Sequence, residues 1–141
     1  QGVFHGGGWK KLELSSINNY EFKKRVLNAT GIKKIHNYYG MVEQTGSIFM
    51  DCEYENLHAS CWSEVIIRDP INFKKLEFGQ TGLVQIISTL PFSYPGHSLL
   101  SEDEGLILGC DNCPCGRKGT FFKILGRIKS AELRGCSDTY S

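Results

Sequence analysis

The sequence predicts an α+β chain in which a strand-helix-strand segment over residues 1–50 leads into a small twisted antiparallel β-sheet or open barrel over residues 51–141. Two changes of texture along the chain carry that expectation. Up to about residue 50, a capped helical window lies between two short strand-like runs, the order of an α/β layer. Beyond Gly46 short β-type runs recur between turn residues. A third observation joins the parts: 141 residues bury one modest core. Neither part closes a full core alone, so the divide near residues 50 to 60 separates subdomains.

Val3-Phe4-His5 reads as a short buried strand that breaks at Gly6-Gly7-Gly8. Asn18 or Asn19 caps a helix that starts near Tyr20, with Phe22, Val26 and Ala29 on one face and Gly31 as the stop. Residues 34–39 form the next strand. Residues 65–68, 83–87, 105–108 and 121–125 are the β-type runs of the second part. Asp69-Pro70, Gly79, Pro95-Gly96, Glu104-Gly105 and Gly116 punctuate them as turns.

Composition excludes several classes. Sixteen basic and fifteen acidic residues nearly cancel, which leaves no stripe for nucleic acid or an anionic membrane. No apolar run approaches the roughly 18 residues of a membrane span. The first residues lack the basic and apolar regions of a signal peptide. Six cysteines allow three disulfides in a secreted domain. With no signal peptide and 11% aromatic residues to build a core, the expectation is a cytoplasmic protein with reduced cysteines.

Several motifs carry chemistry, each beside a plainer reading. Gly6-Gly7-Gly8 after a strand lets backbone approach a ligand or take positive φ, or is simply a tight turn. In Tyr39-Gly40-Met41-Val42-Glu43, Tyr39 can stack on a base, and Glu43 is a carboxylate suited to Mg²⁺ held against phosphates. The plainer reading is a strand-end Tyr-Gly and a solvated Glu. Thr45 lies close enough to replace a hydroxyl that Val42 cannot supply. Residues 101–105 read as an acidic turn, where a carboxylate can accept both hydroxyls of a ribose or simply face solvent. Arg127, leaving a strand after Gly126, can reach a ribose or phosphate with its planar fork, or lie on the surface.

Cys113-Pro114-Cys115 can fill two corners of a tetrahedral Zn²⁺. Cys52 and His58, flanking a turn with five residues between them, can fill the other two. Cys110 competes for one corner, and free thiols or a disulfide are the alternatives. Cys136 is exposed by Gly135, and Arg134 can lower its pKa, which suits a nucleophilic thiolate; a buried, inert cysteine is the alternative.

Taken together, His5-Gly6-Gly7-Gly8-Trp9-Lys10, the run from His36 through Tyr39-Gly40 and Glu43 to Gly46, Cys113-Pro114-Cys115-Gly116-Arg117 and Arg134-Gly135-Cys136-Ser137-Asp138 resemble the acyl-protein synthetase family. Its best-known members belong to the fatty-acid reductase complex of luminous bacteria. The family is similar to phenylacetate-CoA ligases, which share the Cys-Pro-Cys-Gly-Arg knuckle. The resemblance covers nearly the whole chain, with the motifs in order, and implies the C-terminal part of an adenylate-forming ligase core. It implies activation of a fatty acid, or another carboxylic acid, as acyl-AMP with ATP and Mg²⁺. The acyl group then passes to a cysteine near the C-terminus and on to a reductase or carrier protein.

By the same resemblance, Gly6, Gly7, Gly8, Tyr39, Gly40 and Thr45 border the nucleotide and acyl groups. Glu43 corresponds to the Mg²⁺ glutamate, Asp103 to the ribose aspartate, Arg127 to the ribose or phosphate arginine and Cys136 to the acyl carrier. Cys52, His58, Cys113 and Cys115 correspond to a structural Zn²⁺ site. The phosphate loop is expected upstream, in an N-terminal half, and the mobile lid beyond the C-terminal end. CoA is the rival acceptor, and a non-catalytic zinc-stabilised protein-binding module is the rival class.

Overall fold

The computed structural model describes residues 2–7, 16–44 and 47–128. Strand β1 (Val3–Gly6) runs parallel to β2 (Ile35–Tyr39), and helix α1 (Asn19–Thr30) makes the crossover between them. The helix starts where the Asn18 side chain accepts from the Glu21 N–H at 2.8 Å. It stops where Gly31, at φ 70°, bends its N–H back to the Leu27 carbonyl. Strand β3 (Phe49–Met50) completes the first sheet antiparallel to β2, in the order β1-β2-β3.

The apolar face expected of α1 is only partly used. Phe22 and Val26 are half-buried, Ala29 is exposed, and no residue of the helix is fully buried. The helix is held instead by specific contacts. The Phe22 ring lies 4.4 Å from that of His5, and Lys23 reaches the buried Asp51 carboxylate at 2.6 Å. Asn19 Nδ2 donates to Glu55 at 3.0 Å.

The second sheet has five antiparallel strands in the order β4-β8-β7-β6-β5. These are β4 (Leu57–His58), β5 (Ser63–Arg68), β6 (Gly82–Ser88), β7 (Ser98–Cys110) and β8 (Thr120–Arg127). The edge strands β4 and β5 are not paired with each other, so among the described residues the sheet is open and does not close into a barrel. One core serves both sheets. Phe49 of the first packs edge-on against Phe122 of the second at 5.2 Å, among Leu57, Val65, Ile67, Val84, Ile86 and Ile107. Each such side chain contributes about 2 kcal/mol by leaving water. No described helix is long and apolar enough to cross a membrane.

Two local expectations are overturned. Strand β1 is not buried: Val3 and His5 are half-buried and Phe4 is 66% exposed. Residues 101–105 are not a turn: they lie inside β7, which begins at Ser98. Gly105 marks a β-bulge, with a register shift between Glu104 and Gly105. A Cβ there would meet the Lys123 carbonyl at 2.6 Å and Val84 at 2.9 Å, so the glycine is set by close packing of strands. Solvation of an acidic run and solvation of a turn look alike in sequence.

Candidate functional site

The glycine run and the Tyr-Gly motif end adjacent parallel strands. Gly6 pairs with Tyr38, and Tyr39-Gly40 follows at the same end of the sheet. The crevice beyond the carboxyl ends of such strands is where open α/β sheets receive ligands. Gly6 is fixed by contact, since a Cβ would meet the Tyr38 ring at 2.8 Å. Gly7 is fixed by conformation, at φ 87°.

After Gly40 a 3-10 turn over Val42–Gln44 carries Glu43, whose side chain is exposed. The turn is anchored at Glu43 itself and at the residue that follows it. The buried Gln44 amide donates to the Gly96 carbonyl at 2.6 Å, and the Tyr94 hydroxyl donates to the Glu43 carbonyl at 2.6 Å. The Glu43 carboxylate thus stands on a braced backbone.

Tyr39 reaches the second sheet. Its hydroxyl donates to Asp103 Oδ2 at 2.6 Å, and Arg127 Nε lies 3.6 Å from Asp103 Oδ1. Asp103 and Arg127 are direct cross-strand partners on β7 and β8. The Tyr39 ring stacks on Phe49 at 6.1 Å and meets the edge of Phe122 at 6.5 Å. Burial, then the hydrogen bond and charge of Asp103, push the Tyr39 phenol well above its ordinary pKa, so it stays a donor.

A second cluster forms where the β3–β4 turn meets the β7–β8 turn. Ligand atoms of Cys52, His58, Cys113 and Cys115 all lie within 4.8 Å of one another. Cys52 Sγ is 4.0 Å from Cys113 Sγ, and Cys115 Sγ is 3.4 Å from His58 Nε2. Bond lengths of about 2.3 Å to sulfur and 2.0 Å to nitrogen make tetrahedral edges of roughly 3.8 and 3.5 Å, so this donor set fits one zinc ion. Burial, then the Arg117 guanidinium, lower the His58 pKa and keep the imidazole neutral, with a free lone pair.

Burial pushes the Cys113 thiol up. The Cys115 N–H, the Asn56 amide and the thiols of Cys115 and Cys52 outweigh it, and the net shift is down, toward thiolate. Cys110, at the exposed end of β7, stands outside this group.

Between the two clusters lies a feature that sequence reading missed. Asp51 is 1% exposed and binds Lys23, with His36 Nδ1 at 3.5 Å, while its carbonyl accepts from Arg117. The partners are distant along the chain, and nothing in the local pattern around Asp51 announces burial. Gly8, Thr45 and Cys136 lie outside the described residues.

The fold is shared with part of solved acid-CoA ligases. It superposes on 2-hydroxyisobutyryl-CoA ligase, solved in an open conformation with 2-HIB-AMP and CoA, with a TM-score of 0.67 at 24% identity, covering 90% of this chain and 27% of that one. ATP-bound MatB from Rhodopseudomonas palustris gives a TM-score of 0.51 at 17% identity, over 76% and 23% of the two chains. These likenesses concern the fold. The chain matches the family described as "Acyl-protein synthetase, LuxE" over residues 1–141, and it belongs to that family. A curated relative, the long-chain-fatty-acid–luciferin-component ligase of Vibrio harveyi, is 28% identical over 138 residues. That match takes in 96% of this chain and 35% of the relative, so the chain spans about a third of the relative's length.

Proposed function

We propose that the chain is the C-terminal portion of an ATP-dependent acyl-protein synthetase, with an α/β segment over residues 1–50 and a β-rich, cysteine-containing segment over residues 51–141. The whole protein activates a long-chain fatty acid as acyl-AMP and passes the acyl group to a protein cysteine. Family membership over all 141 residues is the observation that carries this reading. The convergence of Tyr39, Asp103 and Arg127 beside the strand ends supports it.

In this reading Gly6, Gly7, Gly8 and Gly40 let backbone approach the nucleotide, and Thr45 stands beside its phosphates. Asp103 accepts from the ribose hydroxyls. Arg127 balances the carboxylate and faces the ribose or phosphate. Glu43 holds Mg²⁺ on ATP, and the ion would offset phosphate charge as it develops. Cys52, His58, Cys113 and Cys115 hold a structural Zn²⁺ that ties the edge strand β4 to the β7–β8 turn. Cys136 attacks the mixed anhydride: its sulfur bonds to the acyl carbon, AMP departs with the bonding electron pair, and a thioester remains.

The test is acid-dependent exchange of pyrophosphate into ATP by the full-length protein, which needs only the first half-reaction. Exchange that rises with long-chain fatty acid supports the reading, and absence of exchange with any carboxylic acid refutes it. CoA as final acceptor is the second reading, favoured by the likeness to a CoA ligase. Acyl-CoA formed without protein labelling would establish it.

A further inference from the structure

A single 3-10 turn is too short to hold itself, because forming one turn fixes several backbone angles for one hydrogen bond. In the turn that carries Glu43, the Gln44 N–H donates to the Met41 carbonyl at 3.1 Å. Just beyond it, the Ser47 N–H donates to the Gln44 carbonyl at 3.3 Å. These local bonds are long. The two short ones, at 2.6 Å each, both reach the loop between β6 and β7: Gln44 Nε2 donates to the Gly96 carbonyl, and the Tyr94 hydroxyl donates to the Glu43 carbonyl.

That loop is itself fixed to the second sheet. The Ser88 N–H donates to the His97 carbonyl at 3.0 Å and closes its base, and the Thr89 N–H donates to the Trp62 carbonyl at 3.0 Å. Within it, the Gly96 N–H turns back to the Tyr94 carbonyl at 2.8 Å, with the Tyr94 ring lying over Gly96. A Cβ on Gly96 would run into that ring, so the glycine leaves the ring the room from which its hydroxyl meets the Glu43 carbonyl. Tyr94 is 39% exposed and stands outside the core shared by the two sheets, so core packing does not account for its place.

We infer that the β6–β7 loop sets the Glu43 carboxylate in place for Mg²⁺, with Tyr94 as the positioning residue and Gly96 as the glycine that admits its ring. This rests on the Mg²⁺ role of Glu43 given above and adds what holds that carboxylate. Tyr94 acts on the metal only through the turn. Without its bond the turn samples other shapes, and apparent Mg²⁺ affinity falls with the fraction of time spent in the held one.

Titration calorimetry of ATP into the full-length protein, once with Mg²⁺ and once with EDTA, measures the gain in affinity that the metal brings. Wild type should show a clear gain, and Glu43→Gln should lose most of it. Tyr94→Phe keeps the ring and removes the hydroxyl. It should lose about fivefold of the gain, the usual net worth of one neutral hydrogen bond, while metal-free ATP binds within about twofold of wild type. Gly96→Ala keeps the hydroxyl but displaces the ring, and should do the same. Added to Glu43→Gln, Tyr94→Phe should cost nothing more, because the two act on one contact. A Tyr94→Phe protein that keeps the full gain, an equal loss with and without metal, or an additive loss in the double variant would overturn the inference. Wild type that gains nothing from Mg²⁺, or Glu43→Gln that keeps the gain, would overturn the Mg²⁺ role of Glu43 itself, so the two failures are distinct.

Discussion

Replacing Cys113 by serine probes the cysteine-histidine cluster. The change keeps nearly the same volume and removes one soft ligand from a set whose members lie within 4.8 Å of one another. Outer-shell changes at metal sites typically cost about 10–100-fold in affinity, and loss of a thiolate from the ligand set itself should cost more. The apparent worth of a structural zinc, on the order of 10 kcal/mol, is comparable with the whole stability of a domain.

The residues that depend on it are identifiable. Cys52 and His58 bracket the turn into β4, and β4 is held to β8 by only two paired positions, Leu57 with Phe122 and His58 with Phe121. If Cys113→Ser or chelation removes even about 3 kcal/mol, the melting midpoint of a chain this size falls by roughly 10 °C. The assay is elemental analysis of protein purified without chelator, followed by melting with and without EDTA. Wild type should carry about one equivalent of zinc and lose stability on chelation, while Cys113→Ser should carry little and be insensitive to it. Metal-free wild type whose mass shows a Cys52–Cys113 disulfide would refute the reasoning.

Three further outcomes are expected. Glu43→Gln in the full-length protein should lower acid-dependent pyrophosphate exchange about a hundredfold, roughly 3 kcal/mol in the transition state; undiminished exchange would remove Glu43 from the Mg²⁺ role. Lys23→Met should cost about 2 kcal/mol in urea unfolding by leaving the buried Asp51 carboxylate with a weaker partner, and Asp51→Asn in the same background should recover part of it. If the single change is silent, α1 is held by its ring and amide contacts instead. Cys136→Ser should keep acyl-AMP formation but lose hydroxylamine-sensitive labelling by radioactive fatty acid, and labelling that persists would exclude Cys136 as the carrier.

Much of the fold could be read from local pattern. The Asn18 cap, the Gly31 stop and the β-type runs each depend on a few neighbouring residues, and local physics decides them. The two-residue strands β3 and β4 could not be read, because such short pairings exist only through their partners β2 and β8. How α1 packs could not be read for a related reason. Its apolar spacing shows which face can pack, whereas contact with His5 and Asp51 shows what it meets among the described residues.

The candidate site divides in the same way. Residue type and spacing were enough to nominate the glycine run, Tyr39-Gly40, Glu43, the Cys113–Cys115 pair and the Cys52–His58 pair, because these motifs are short and their chemistry sits in the residues themselves. That the Cys52–His58 pair and the Cys113–Cys115 pair, some sixty residues apart, meet in one cluster was decided by the return of β8 alongside β4. That Asp103 faces Arg127 was decided by the β7–β8 register, which a bulge at Gly105 resets. That Tyr39 turns its hydroxyl onto Asp103 follows from two sheets sharing one core, so that Phe49 and Phe122 aim the ring. Sequence determines which groups a chain carries and the local shapes they favour. Long-range pairing and shared burial determine which groups touch, and here contact separates an acidic run from a carboxylate held between a tyrosine and an arginine.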